Sequence, residues 1–83
     1  PQIASAGSCF KNPKGDFAGR LIEAVGLKGV KKGDMSFSQQ HANFLVNYGE
    51  GTFEDAVYLI ELAKNKIKDE FDIEIEEEII LYK

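Results

Sequence analysis

Apolar residues recur along this chain with two different periods. Phe17, Ala18, Leu21, Ile22 and Val25 follow three- and four-residue spacing, which predicts a helix over about Phe17–Val25 with one buried face. Asp16 stands where that helix needs a cap, and Gly26 is placed to end it in the left-handed region. The same spacing returns more strongly in Ala56, Leu59, Ile60, Ala63 and Ile67, predicting a helix over about Phe53–Glu70 capped by Thr52. Glu54 and Asp55 lie in its first turn and Lys64, Lys66 and Lys68 come late, the polarity that the helix dipole favours. Residues 1–13 read as extended and end at Asn12-Pro13, because the residue before proline avoids helical angles. Lys14-Gly15 reads as a turn, and Leu27–Asp34 as a loop from its Gly and Lys content. Two short strands are predicted at Met35–Phe37 and Ala42–Asn47, with Tyr48–Gly51 as loop. The tail, Ile73–Tyr82, opens by alternating Ile73 and Ile75 with Glu74 and Glu76, which predicts a strand. The expected fold is α+β, a small antiparallel sheet packed with two helices, in one domain over residues 1–83.

Composition agrees with that picture and narrows the function. Hydrophobic residues at 43% and charged residues at 29% are a globular balance, and 83 residues allow one modest core. No apolar run approaches the roughly 18 residues that a membrane span needs, so no membrane role is expected. The lone Cys9 has no internal disulfide partner, which predicts a reducing, cytoplasmic setting. A start at Pro1 suggests a processed or excised segment. The net charge of −4 is uneven: residues 1–35 carry six Lys/Arg against three acids, and residues 36–83 four Lys against eleven acids. A locally basic first half could steer a small anion, although solvated lysines explain the same pattern. The acidic total and the lack of a basic–aromatic stripe speak against nucleic acid.

Chemistry concentrates in Ala6-Gly7-Ser8-Cys9-Phe10-Lys11-Asn12-Pro13, where a hydroxyl, a thiol, a cation and a carboxamide follow one another. Lys11–Gly15 precedes a helix, a position that suits an anion, but the GxxxxGK[ST] spacing is absent. Ser8 or Cys9 with His41 would make a hydrolytic triad or dyad, yet no G-x-S-x-G surrounds Ser8. The plainer reading makes Cys9 a small buried apolar residue and His41 a hydrogen-bonded neighbour of a turn. One His and one Cys far apart do not form a zinc set, and strand alternation splits Glu74, Glu76, Glu77 and Glu78 between two faces, so no metal is expected. Glu78 opens onto Ile79-Ile80-Leu81 and is expected to enter the interior.

The Ala6–Pro13 segment resembles the AGSxFKNP motif of the UDP-N-acetylenolpyruvoylglucosamine reductases, and the likeness continues in register. Ala18-Gly19-x-Leu21-Ile22-Glu23, Gly26-Leu27-Lys28-Gly29 and Ser38-x-x-His41-Ala42-Asn43-Phe44-x-Val46-Asn47 match family segments, and Phe71-x-Ile73-Glu74 leads to the closing one at Glu77-Glu78-Ile79-Ile80. The resemblance implies a C-terminal, substrate-binding domain of a flavoenzyme of peptidoglycan synthesis. In that family hydride passes from NADPH to FAD and then to UDP-N-acetylglucosamine enolpyruvate, with a proton delivered to the adjacent carbon to give UDP-N-acetylmuramate. It implies Ser8 as proton donor and Glu78 as the acid facing the enolpyruvyl carboxylate. Asn12, Lys11 and His41 fall on substrate-binding positions, and the FAD-binding domains would be partners outside this chain. Hydride addition makes an enolate-like, strongly basic intermediate that can take a serine proton. Glu78 beside a substrate carboxylate favours a protonated, hydrogen-bond-donating carboxyl. Three positions depart from the family pattern: Glu77 replaces Pro, Ile80 replaces Arg, and Asp34 replaces the second Gly of a pair. A stand-alone binding module for a nucleotide-sugar or similar anion is the alternative.

Overall fold

The computed structural model describes residues 7–79. The elements run β1 (Gly7–Ser8), α1 (Ala18–Ala24), β2 (Lys31–Lys32), β3 (Met35–Phe37), β4 (Phe44–Asn47) and α2 (Phe53–Phe71). The strands form one antiparallel sheet in the order β1-β4-β3-β2, with Ser8 opposite Phe44, Phe37 opposite Leu45, and Lys32 opposite Met35. The α+β expectation of two helices on a small antiparallel sheet holds.

The helix α2 forms where capping and periodicity place it. Thr52 Oγ1 accepts from Asp55 N at 3.1 Å and Asp55 Oδ2 accepts from Thr52 N at 3.2 Å, a reciprocal box that satisfies two free amides. Ala56, Leu59, Ile60, Ala63 and Ile67 are all buried along one stripe. The far end closes at Asp72 in the left-handed conformation, its carboxylate 2.7 Å from Lys68 Nζ.

The first helix is shorter at its start than its spacing predicts. Phe17 is extended at the N-cap and 66% exposed, so it does not belong to the buried face formed by Ala18, Leu21 and Ile22. Asp16 Oδ1 accepts from Phe17 N at 2.7 Å, while Asn12 Oδ1 reaches across six positions to accept from Ala18 N at 2.9 Å. Capping is thus shared between a neighbour and a residue beyond the proline. The other end behaves as expected: Gly26 has φ 81°, and Leu27 N→Ile22 O and Gly26 N→Glu23 O, both 3.0 Å, close a Schellman turn.

Two strands differ from the prediction. Lys31–Lys32, expected as loop, pair with β3 in a hairpin whose turn holds Gly33 at φ 57°, a primed-turn conformation that glycine adopts without strain. Both lysines are exposed, so the strand carries no apolar alternation to reveal it. In place of a strand over Ile73–Tyr82, the described part of the tail makes one bridge, Phe10 opposite Glu77. Ile75 is buried and Glu74 and Glu76 are exposed, so the alternation is real although the ladder is not. Positions 80–82 of that expected strand lie outside the described residues. The core joins Leu21 and Ile22 of α1, Leu59 and Ile67 of α2, Met35, Phe37 and Leu45 of the sheet, and Phe10 between β1 and α1. No helix among the described residues is long and apolar enough to cross a membrane.

Candidate functional site

Ser8 sits half-buried at the end of β1, an edge strand whose ladder neighbour is β4. Its hydroxyl has no hydrogen-bond partner among the described residues. Directly opposite is Phe44, 42% exposed, and the Phe44 ring lies 5.5 Å from the His41 ring at an interplanar angle of 48°. His41 is exposed and belongs to a turn: its amide donates to Ser38 Oγ at 3.2 Å and its carbonyl accepts from Phe44 N at 2.8 Å. Ser8, Phe44 and His41 therefore follow one another across the edge of the sheet.

Beyond Ser8 the chain is held from both flanks. On the β4 side, Cys9 N donates to Asn43 O at 2.7 Å, and the Asn43 carboxamide brackets Phe10, accepting from Phe10 N at 3.0 Å and donating to Phe10 O at 2.9 Å. On the tail side, Lys11 N donates to Glu76 O at 2.8 Å, and the Cys9 carbonyl accepts from Glu78 N at 2.9 Å and Ile79 N at 3.3 Å. Two amides on one carbonyl break the strict alternation of a ladder, which is why this bridge does not lengthen into a strand.

Glu78 is exposed rather than interior, correcting the expectation drawn from the isoleucines that follow it. Ile79 packs against the core while its acidic neighbour faces solvent. The fold thus brings the Glu78 backbone to the residue after Ser8 without burying the carboxyl. Glu77, standing where the resemblance expects Pro, has a partner of its own: Lys64 Nζ of α2 lies 3.3 Å from its Oε1. Asp34, in place of a glycine, accepts from Glu50 N at 3.0 Å and so holds the turn after β4.

Lys11 and Asn12 are exposed on the α1 side, lining a shallow concavity of about 290 Å³ with Pro13, Lys14, Glu74, Ile75 and Glu76. Two carboxylates share that space with the lysines, so local charge does not single out an anion. Asp16 and Asn12 already occupy the amides of Phe17 and Ala18 at the start of α1, so those two are not available to an anion at Lys11–Gly15. Elsewhere in the first half, Arg20 is paired with Asp16 and Lys28 lies 3.5 Å from Glu23, so part of its basic charge is neutralised locally. The Arg20 hydrogen bond and the Phe17 amide hold the Asp16 carboxyl down at about 2.

Cys9 is fully buried, and burial, with the Glu77 carboxylate adding to it, pushes its thiol up to about 12. A thiol held neutral and out of solvent is no nucleophile, so the Cys9–His41 dyad has no structural support. Among the described residues no group of three or more His, Cys, Asp or Glu is arranged to hold a metal ion.

Asn43 enters the sequence reading only as a motif letter. The signal that singles it out is an amide side chain immediately before the apolar run Phe44–Val46, where a half-buried carboxamide needs a partner.

Fold and site together define an α+β domain in which the segment Cys9–Lys11 is pinned between a sheet edge and the chain's tail. Residues 1–82 match the family described as UDP-N-acetylenolpyruvoylglucosamine reductase, C-terminal domain, and the chain belongs to that family. It is 62% identical over 81 residues to the UDP-N-acetylenolpyruvoylglucosamine reductase of Campylobacter jejuni (strain RM1221), covering 98% of this chain and 31% of that protein. With the reductase of the same name from Aquifex aeolicus it shares 52% identity over 79 residues, 95% of this chain and 27% of that one. Among solved structures it is similar to UDP-N-acetylenolpyruvylglucosamine reductase from Thermus caldophilus, with a TM-score of 0.68 and 42% identity, covering 87% of this chain and 26% of the other. The chain thus spans about a third or less of the length of these relatives.

Proposed function

We propose that this domain supplies substrate-binding and proton-donating groups for the reduction of UDP-N-acetylglucosamine enolpyruvate to UDP-N-acetylmuramate. The step belongs to peptidoglycan synthesis in the cytoplasm, and this domain works there inside a longer protein. FAD and NADPH are held by other parts of that protein. Within the described residues Asp16 and Asn12 take the amides of Phe17 and Ala18 at α1, and Thr52 takes that of Asp55 at α2, so those groups are not open to a dinucleotide. Reduced FAD supplies the hydride for the enolpyruvyl double bond.

This chain's residues handle the proton and the developing charge. Hydride addition leaves negative charge on the carbon next to the substrate carboxylate, and Ser8 Oγ–H gives its proton to that carbon, recovering one from solvent afterwards. Serine is a weak acid, but an enolate-like carbanion is basic enough to take its proton, and positioned general acids contribute about 10²–10⁴ in rate. A half-buried hydroxyl with no other partner among the described residues suits the task, since no internal bond must break first. Glu78 is the acid that faces the substrate carboxylate, beside the place where the enolate's charge develops. His41 and Lys11 contact the nucleotide-sugar, and Asn12 does so through Nδ2, its Oδ1 being engaged at Ala18.

One observation carries this reading. The family match runs through both ends of the domain, and the 2.9 Å bond from Glu78 N to Cys9 O joins the segments of the two residues given chemical roles. In the full-length enzyme, Ser8→Ala is expected to slow flavin reoxidation by substrate about 10²–10⁴-fold while flavin reduction by NADPH stays unchanged. Reoxidation at the normal rate refutes the role of Ser8.

A further inference from the structure

We infer that Asn43 is a positioning residue for Ser8, acting through the backbone of Cys9 and Phe10; the inference rests on the reading of Ser8 as acid. β1 is two residues long, with its pairs at Gly7–Leu45 and Ser8–Phe44. Its ladder would stop at Ser8, because β4 begins at Phe44. Asn43 continues it by another route. Its carbonyl takes Cys9 N, and its carboxamide then imitates a facing peptide unit, receiving Phe10 N–H and donating to Phe10 C=O. Three hydrogen bonds from one residue thus fix the two positions after the proposed catalytic hydroxyl, the two side-chain bonds reaching across 33 positions of sequence.

The tail cannot replace these contacts. Glu78 and Ile79 both bond to the Cys9 carbonyl, which restrains the segment from the opposite flank only. Asp at position 43 keeps the acceptor for Phe10 N–H but sets a carboxylate oxygen against the Phe10 carbonyl. Ala removes both side-chain bonds and leaves the backbone one. Misplacing a reacting group by about 1 Å costs on the order of 10²-fold in rate.

The test uses the full-length enzyme carrying Asn43→Asp and Asn43→Ala, Ser8→Ala, and the doubles Ser8→Ala/Asn43→Asp and Ser8→Ala/Asn43→Ala. Flavin reduction by NADPH and reoxidation by substrate are measured separately, together with hydrogen exchange at the Phe10 amide. Should Asn43→Ala not accumulate folded, Asn43→Asp with its double carries the test. The expected result is reoxidation slowed about 10–100-fold, reduction unchanged, Phe10 amide exchange accelerated in Asn43→Ala, and a double no slower than Ser8→Ala alone. A residue that only stabilised the fold would slow the double further. If Ser8→Ala is slow but the Asn43 variants reoxidise normally, or if the two effects multiply in the double, the inference is overturned and the role of Ser8 stands. If Ser8→Ala itself reoxidises normally, the role of Ser8 falls, and the inference falls with it.

Discussion

Glu78 donates its backbone N–H to the Cys9 carbonyl at 2.9 Å, so the tail lies beside the segment that carries Ser8 while the Glu78 side chain stays in solvent. Because the bond is between backbones, substitutions at position 78 change the carboxyl and leave the pairing in place. The carboxyl's contribution can therefore be measured without disturbing the segment it lies beside.

If Glu78 acts as a hydrogen-bond donor to the substrate, Glu78→Gln keeps a donor in place and Glu78→Ala removes it. Flavin reoxidation in the full-length enzyme is expected to fall about 10²–10³-fold in Glu78→Ala and by a clearly smaller factor in Glu78→Gln. Equal losses in stopped-flow traces of the two variants would show that the negative carboxylate, not a donor, is what matters.

Asn12 separates stability from binding. Its Oδ1 caps Ala18 N at 2.9 Å, so Asn12→Ala is expected to cost about 1 kcal/mol in urea unfolding. Asn12→Asp retains the acceptor and should unfold within a few tenths of a kcal/mol of the parent. Both lose the Nδ2 donor, and both should raise KM for the nucleotide-sugar. A normal KM in Asn12→Asp would leave Asn12 as a cap and nothing more.

How much of the fold and site is legible in the sequence depends on the range of the interaction that decides each feature. The start of α2 and its buried stripe are readable because Thr52, Asp55 and the residues from Ala56 to Ile67 interact within a few positions of one another. Gly26 is readable for the same reason. Phe17 is misplaced by its spacing because the amide of the helix's first residue, Ala18, is capped by Asn12, from the far side of a proline. The hairpin strand Lys31–Lys32 is invisible because its partner, not its own pattern, makes it a strand. Asn43 goes unread because its side-chain partners lie 33 positions away, and Glu78 is sent inside because nothing local signals two amides sharing one carbonyl.

The corrected position of Phe17 has a measurable consequence. Phe17 is 66% exposed, so Phe17→Ala should change stability by no more than about 0.5 kcal/mol. Leu59, fully buried in the stripe of α2, should lose about 2–5 kcal/mol on Leu59→Ala. Urea midpoints that ranked the two the other way would restore Phe17 to the core.

Cys9 sets an alkaline limit on the fold. Burial raises its thiol from 9.0 to about 12, so the folded state holds on to a proton that the unfolded chain gives up near pH 9. The resulting stabilisation is fully present below pH 9 and is lost as pH rises from there toward 12. Other groups titrate in the same range, so the signal is the difference between parent and Cys9→Ala. That variant lacks a buried side chain and should be the less stable below pH 9, yet its stability should fall less steeply above it. The native thiol should also resist alkylation at pH 8 until the protein unfolds, since the thiolate is the reactive form. Fast labelling of folded protein, or alkaline slopes that run parallel in the two proteins, would place the thiol nearer solvent than its packing against the core requires.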